Sequence, residues 1–470
     1  MTTLKRIARQ TFSSLRIRNY RLYFFGQIVS MSGTWMQIVA QGWLVLKLTG
    51  SGVDLGLVTA LQFLPVLLGG AWGGIVADRF NKHRLVTWTQ VAAALLAVAL
   101  GALTATGVVT LWMVYVLAFL LGCVTVFDVP ARQSFVMEIV GPEDVANAVG
   151  LNTTVFTSAR IVGPAIGAVV IALFGIAPCF FINGISYIAV IAGLLAMDPS
   201  QLRKVEPVAR AKGQIREALR YVWSHPELRS TLLVMAVVGT LAFNFRVLLP
   251  LMARDVFSGG AGLYGSLSSV MGFGTLIGAL ISAGRAKPTR RLLVGTTLAF
   301  GILMTLAGVV HVLAVEIVVL IPLGAVSIAF IATANSTLQL NSDDSMRGRV
   351  MALYSIVFLG STPIGGPLVG WIAQTSSVGL AFVIPGLATA ASGVAALYAL
   401  RRSTLAVDEA TDVPERMPED PSPGEPRLAE RALHSARRTL HTLTGTSRRI
   451  ARSTIQSDRP RRDHSARRSG

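Results

Sequence analysis

Gly73-Gly74-Ile75-Val76-Ala77-Asp78-Arg79-Phe80-Asn81-Lys82-His83-Arg84 is a short charged link between two long apolar runs, 55–77 and 85–106. Each run is long enough to cross the hydrocarbon core of a bilayer, which takes about 20 apolar residues in a helix. The pattern of apolar run and short link continues in both directions. Runs fall near 22–46, 55–77, 85–106, 109–131, 148–173, 177–197, 230–252, 263–284, 291–311, 313–336, 350–373 and 379–400. The sequence therefore predicts an all-α membrane protein with twelve transmembrane helices. Composition agrees. Of 470 residues, 52% are hydrophobic and 14% charged, where a soluble domain carries about 25% charge. The two cysteines, Cys123 and Cys179, both lie in apolar runs, and the six His show no ligand spacing, so neither a disulfide framework nor a metal site is expected.

Charge placement sets the topology. Twelve spans return the chain to the side on which it starts, and the Lys/Arg bias identifies that side as cytoplasmic. Of 42 Lys and Arg, Lys47 and Arg254 fall in loops on the opposite side and Arg160 and Arg246 fall within spans. The others lie in the N-terminal segment, in alternate loops and in the C-terminal segment. Both termini are expected in the cytoplasm of an inner or plasma membrane. The net charge of +18 is then a topology signal and not a nucleic-acid footprint. The first run is too long for a signal-peptide core and is read as a span.

The break at 198–229 holds no long apolar run and divides the spans six and six. The expected organisation is an N-terminal six-helix bundle (1–197), a cytoplasmic central loop (198–229) with a short helix near Gln214–Trp223, a C-terminal bundle (230–402) and a disordered basic cytoplasmic tail (403–470). The halves echo one another. Gly163-Pro164-x-x-Gly167 recurs as Gly366-Pro367-x-x-Gly370, and Arg84-Leu85-Val86 as Arg291-Leu292-Leu293. Duplicated six-helix halves are a transporter plan with the substrate site between them. In the tail, an acidic, Pro-rich stretch at 408–425 precedes a basic one at 427–470. The helical spacing of Leu433, Ala436, Leu440 and Leu443 permits contact with anionic lipid, but a solvated tail is the favoured reading.

The spacing Gly74-x-x-x-Asp78-Arg79-x-x-Lys82-x-Arg84 is more than a positive loop requires. Small residues allow close helix approach, Asp78 suits a neighbouring helix N-terminus, and Arg79, Lys82 and Arg84 suit breakable pairs with carboxylates on the facing half. This segment resembles the loop 2–3 signature of the major facilitator superfamily, and the likeness covers residues 15–402. In the second half Arg285 stands in the Asp position, so that copy is degenerate. A second set of residues narrows the resemblance: Asp128-Val129-Pro130-Ala131-Arg132-Gln133-Ser134, Asn147-Ala148, Asn152, Arg160, and Arg347-Gly348-Arg349-Val350-Met351. These are similar to the transmembrane secretion effector branch, which includes enterobactin-type siderophore exporters and relatives of macrolide efflux pumps. The resemblance implies the major facilitator fold and export of a small amphipathic molecule. The Gly-Pro pair of span 5 also resembles the antiporter motif of drug exporters, with Ala159 in that motif's first Gly position. Pro164 and its glycines suit a hinge or seal as well as ordinary packing. Span 4 lacks the mid-span Arg that proton-coupled drug exporters often carry.

Ionisable groups within spans are costly and point to function. Arg160 in span 5 is open to pairing with Asp128 or Asp78, or to binding an anionic substrate. Arg246 in span 7 faces the cavity or snorkels outward. Asp128 is the in-span proton carrier by elimination, or a structural partner for Arg132 or Arg160. Span 1 carries Gln27, Ser30, Thr34, Gln37 and Gln41 at spacings that place them on one helical face, beside Trp35. With Tyr115, Thr240, Asn244, Ser327 and Asn335 they are candidate cavity-lining residues, against the rival of helix–helix hydrogen bonding. Spans 1, 4, 7 and 10 are the cavity helices that the resemblance implies. No phosphate-binding Gly-Lys-Ser/Thr loop and no catalytic set is present, so the reading is a transporter and not an enzyme, with no cofactor. The expectation is a monomeric secondary transporter, driven by a proton or other ion gradient through alternating access. The alternatives are a lipid flippase or importer on the same fold, or a non-transporting scaffold or sensor that uses the basic tail.

Overall fold

The computed structural model describes residues 12–203, 214–284 and 289–411, and every regular element among them is helical. Six long helices come first: α1 (Arg18–Thr49), α2 (Gly52–Arg79), α3 (Lys82–Ala105), α4 (Leu111–Val140), α5 (Val145–Phe174) and α6 (Ala177–Leu195). Local signals make the reversals between them. Gly50 ends α1 in the left-handed region (φ 67°), and its N–H donates to Leu46 O at 2.8 Å. A Cβ is disfavoured in that conformation, which is why glycine stops helices there. Ser51 then caps α2 by accepting the Asp54 N–H at 3.1 Å, and Asn81 caps α3 by accepting the Arg84 N–H at 3.0 Å.

The expected helix in the central loop forms as α7 (Gln214–Ser224). The next span begins at Pro226, earlier than expected, because proline is favourable in a first helical turn. This span is not one regular helix. It runs as α8 (Pro226–Val237), a π-helical turn (Val238–Ala242), a break at Phe243–Asn244, α9 (Phe245–Leu251) and a second π-helical turn (Met252–Val256). The remaining helices are α10 (Ala261–Ala283), α11 (Arg290–Val309), α12 (Leu313–Leu340), α13 (Asp344–Thr375) and α14 (Val378–Thr411). The tail beyond Thr411, with Leu433–Leu443, and Arg285 in the loop before α11 lie outside the described residues.

Among the described residues, 11 helices are long and apolar enough to cross a membrane: α2 to α6, the composite Pro226–Val256, and α10 to α14. Helix α1 has 32 residues but is not one of them, its polar stripe diluting its apolar content. Contacts group Met1–Thr404 as one unit and Leu405–Gly470 as a second.

Glycines let helix backbones touch. A Cβ on Gly274 would lie 2.0 Å from Ile321 O and one on Gly278 2.1 Å from Ala325 O, which fixes α10 against α12. Gly73 and Gly122 do the same for α2 and α4, at 2.0 Å from Val126 O and 2.3 Å from Gln62 O. Between helices bathed in lipid such small-residue contacts replace hydrophobic drive. The alternating helix directions give the bundle two ends. Gly50, Gly107, Gly175 and Ser258 turn at the distal end; Asp78–Arg84, Gly141 and Asp198 lie at the proximal end.

Candidate functional site

The first six long helices meet the later ones at the distal end. A Cβ on Gly56 would lie 2.4 Å from Gly366 O, and one on Gly370 2.1 Å from Gly52 O, so α2 and α13 touch backbone to backbone. Gly265 and Gly272 bring α10 onto α5 in the same way, at 2.7 Å from Pro164 O and 2.8 Å from Arg160 O. Hydrogen bonds reinforce the closure. Ser51 Oγ donates to Gln374 Oε1 at 2.9 Å, and Arg254 donates to Gly50 O at 3.0 Å. The second-half Gly366-Pro367-x-x-Gly370 motif is thus part of this seal. In its first-half counterpart Gly163 and Gly167 fit against Trp35, Ser32 and Met36 of α1, while Pro164 meets Gly265 through its carbonyl and alone of the three lines the cavity described next.

Beneath the seal lies a cavity of about 300 Å³. Its wall comes from both sets of helices: Trp35, Phe63, Phe156, Arg160 and Pro164 from the first six, and Phe243, Asn244, Arg246, Tyr264, Met271 and Phe358 from the rest. The Trp35 ring is shared by two cations, with the Arg160 guanidinium 5.5 Å and the Arg246 guanidinium 5.8 Å from its centroid. Arg246 also lies 5.3 Å from the Phe63 centroid. These are cation–π distances. The break at Phe243–Asn244 creates this wall. Asn244 Nδ2 donates to Thr240 O at 2.7 Å, satisfying a carbonyl that the interrupted helix leaves without its usual partner. Toward the proximal end α5, α12 and α13 expose Thr153, Thr154, Gln339 and Ser355. Thr153, Thr154 and Ser355 donate to carbonyls one turn back in their own helices, and Gln339 donates to Asn335.

Several expected site residues lie elsewhere. Asp128 Oδ1 accepts from Thr89 Oγ1 at 2.7 Å and from Gln90 Nε2 at 2.8 Å, while its other oxygen pairs with Arg132. Arg132 in turn donates to Gln27 Oε1 at 2.8 Å. Asp128 is therefore the partner of Arg132 and not of Arg160, and this network ties α1, α3 and α4 together away from the two-arginine cavity. The polar face of α1 turns toward α6: Gln37 Oε1 accepts from Asn183 Nδ2 at 2.6 Å, and Thr34 lies 3.4 Å from the Tyr187 hydroxyl. Ser30 and Gln41 are buried, and neither lines the cavity. The rival reading of that stripe, helix–helix hydrogen bonding, describes this placement. Tyr115 donates to Asp54 at 2.9 Å, Thr240 and Ser327 bond carbonyls of their own helices, and Asn335 accepts from Gln339 at 2.6 Å. None of these four belongs to the cavity wall; Asn244 does.

At the proximal end a second hollow of about 950 Å³ is lined by Asp78, Arg79, Lys82, Arg84, Glu138 and Arg203, among others. Lys82 pairs with Glu138 at 2.9 Å, within the first six helices and not across to the facing set. Gly74 adjoins this end of α2. The aromatic lining of the cavity (Phe63, Phe156, Phe243, Tyr264, Phe358) is not marked in the sequence, because aromatics are equally at home in lipid and in a core.

A family profile described as "Transmembrane secretion effector" matches residues 9–426. The staphyloferrin A transporter of Staphylococcus aureus is 24% identical over 392 residues, covering 83% of this chain and 98% of that protein. The multidrug efflux pump Tap of Mycolicibacterium fortuitum is 28% identical over 399 residues, covering 80% and 94%. Among solved structures, a bacterial homologue of the human lysosomal transporter Spinster, in an inward-facing and unoccupied conformation, superposes with a TM-score of 0.62 at 16% identity, covering 83% of this chain and 95% of that one. The nucleoside transporter NupG superposes with a TM-score of 0.60 at 12% identity, covering 82% and 99%.

Proposed function

The chain belongs to the transmembrane secretion effector family and is a membrane transporter of the major facilitator type, and from that premise we propose that it exports a small amphipathic molecule by alternating access, driven by an ion gradient. The observation that carries this reading is the central cavity: it is walled by both sets of helices and sealed above by glycine contacts. In this reading α1 is the twelfth span, the halves 1–197 and 230–402 rock as two six-helix bundles, and the termini are cytoplasmic. The distal end then faces outward, and the conformation is inward-open.

Opening outward requires the α2–α13 and α5–α10 contacts to part while the proximal ends close. The Asp78–Arg84 loop latches that closed proximal end. In the inward-open state its Lys82 is held by Glu138, and the exchange of such partners is what a two-state latch needs. Asp128 is the coupling carboxylate. Protonation would weaken its ties to Arg132, Thr89 and Gln90 together and so loosen α4 from α3 and α1. A rocking motion around a fixed midplane site is then biased by the state of this carboxylate.

The test is accumulation of a panel of siderophores, macrolides and dyes in cells lacking the chain, overproducing it, or carrying Asp78→Asn. Export lowers accumulation on overproduction, a protonophore abolishes the effect, and Asp78→Asn weakens it. Raised accumulation on overproduction would instead mean import. A lipid substrate would be seen as headgroup movement between leaflets with no change across the panel.

A further inference from the structure

We propose that Arg160 and Arg246 form a two-guanidinium receptor for the anionic head of an amphipathic organic acid, with the Trp35 ring as their shared platform and the cavity aromatics seating its apolar body. The inference rests on reading the cavity as the transport site. It adds the charge class of the substrate, which neither the family nor its relatives' names supply.

Four observations converge. First, both arginines sit within spans, where an ionised side chain is costly and normally pairs with an acid. Of the carboxylates within spans, Asp128 is taken by Arg132, Thr89 and Gln90 and Asp54 by Tyr115, while Glu316 pairs with neither arginine. Among the described residues, neither Arg160 nor Arg246 makes an ion pair, and their cationic contacts are to aromatic rings. Second, the two cations share one ring, at 5.5 and 5.8 Å from its centroid. Two like charges so placed repel each other. An anion between them relieves the repulsion and gains two charge-assisted contacts, and a guanidinium presents paired donors that match the geometry of a carboxylate or sulfonate.

Third, the rest of the wall is mostly apolar and aromatic, including Phe63, Phe156, Phe243 and Phe358, with Thr59, Asn244, Ser268 and Thr362 as its polar members, in about 300 Å³. That is the low end of small-molecule sites and suits a head group with one or two rings. Fourth, the two arginines come from different sets of helices, Arg160 from α5 and Arg246 from α9. An anion that bridges them links the two bundles directly, so occupancy is communicated to the elements that must rock. The same charges exclude cations. A lipophilic cation such as ethidium is therefore a poor ligand for this cavity.

The experiment uses purified full-length chain in lipid nanodiscs and three probes of one ring system: 2-naphthoate (anion), 2-naphthamide (neutral) and 2-naphthylmethylammonium (cation). Binding is measured by equilibrium dialysis, with empty nanodiscs subtracted to remove partitioning into lipid. The expected result is saturable naphthoate binding at least tenfold tighter than either of the others. Arg160→Gln and Arg246→Gln each reduce it at least tenfold, and the Lys variants, which keep the charge but not the paired donors, fall between. The Lys variants also serve if a Gln variant does not fold. Equal affinity for the three probes, no saturable naphthoate binding, or an anion preference that survives in the Arg160→Gln/Arg246→Gln double variant each overturns the proposal. Reconstituted transport separates this inference from the export reading. If naphthoate binds through the arginines but neither it nor any compound of the panel is moved under any gradient, the receptor stands and the export reading falls. If neutral or cationic compounds are moved with no dependence on the arginines, export stands and the receptor falls.

Discussion

Gly370→Ala tests whether backbone contact between α2 and α13 is what closes the distal end. The added Cβ would lie 2.1 Å from Gly52 O and 2.6 Å from Gly52 C, both main-chain atoms that cannot rotate away. Ordinary contact begins at 3.4 Å, so the two helices must part by roughly 1 Å at this level. Overpacking of this kind costs about 1–3 kcal/mol. The clash exists only while the seal is closed, so the cost falls on one of the two transport states. A bias of that size changes their ratio by about 5- to 150-fold. The seal can be read with a cysteine pair at Ser51 and Gln374, whose side chains are hydrogen-bonded at 2.9 Å, in a chain whose Cys123 and Cys179 are replaced. Cross-linking of the pair should slow by a factor in that range in Gly370→Ala. Gly150→Ala is the control, since a Cβ there meets nothing within 4 Å. Cross-linking in Gly370→Ala indistinguishable from that in Gly150→Ala would show that the α2–α13 contact does not govern closure.

Four further substitutions probe the buried polar groups, each read as a change in melting temperature of the purified chain. Arg132→Gln strands the Asp128 carboxylate and should destabilise by about 3–5 kcal/mol, whereas adding Asp128→Asn to it should recover most of the loss. Glu316 is 0% exposed with neither carboxylate oxygen hydrogen-bonded, so Glu316→Leu leaves nothing unsatisfied and should hold or raise the melting temperature. Asn244→Ala removes the donor to Thr240 O at the break in the Pro226–Val256 span and should cost about 1–3 kcal/mol.

The spans were legible because a bilayer demands a length of apolar chain, and a short charged link such as Asp78–Arg84 leaves few ways to join two such runs. Boundaries were less legible. Pro226 starts its span early, and the π-helical turns flanking Phe243–Asn244 answer to packing against α13, where a Cβ on Gly365 would lie 1.8 Å from Thr240 O. The face of α1 that carries Gln27, Ser30, Thr34, Gln37 and Gln41 was readable as a face, but helical spacing is the same whether that face meets water or another helix. Its partners Asn183, Tyr187 and Arg132 lie over 100 positions away in the chain. Arg160 and Arg246 stood out as ions within spans, yet the sequence left Asp128 and Asp78 open as partners for Arg160. The local i,i+4 geometry of Asp128 and Arg132 on one helix takes Asp128 away from Arg160, and Asp78 lines the proximal hollow and not the arginine cavity. That both arginines reach one indole depends on distances across three separate segments, which no local pattern encodes.

The most direct measurement is transport by the purified full-length chain in liposomes of known orientation, with 2-naphthoate and the siderophore, macrolide and dye panel under imposed pH and ion gradients. A gradient-driven exporter moves at least one of these compounds against its concentration in the cytoplasm-to-outside direction. The movement stops with a protonophore or ionophore and fails when Ser51 and Gln374 are cross-linked through introduced cysteines. If no compound moves under any gradient while the chain remains folded, or if movement persists with the distal end locked, alternating access through this cavity is not how the protein works.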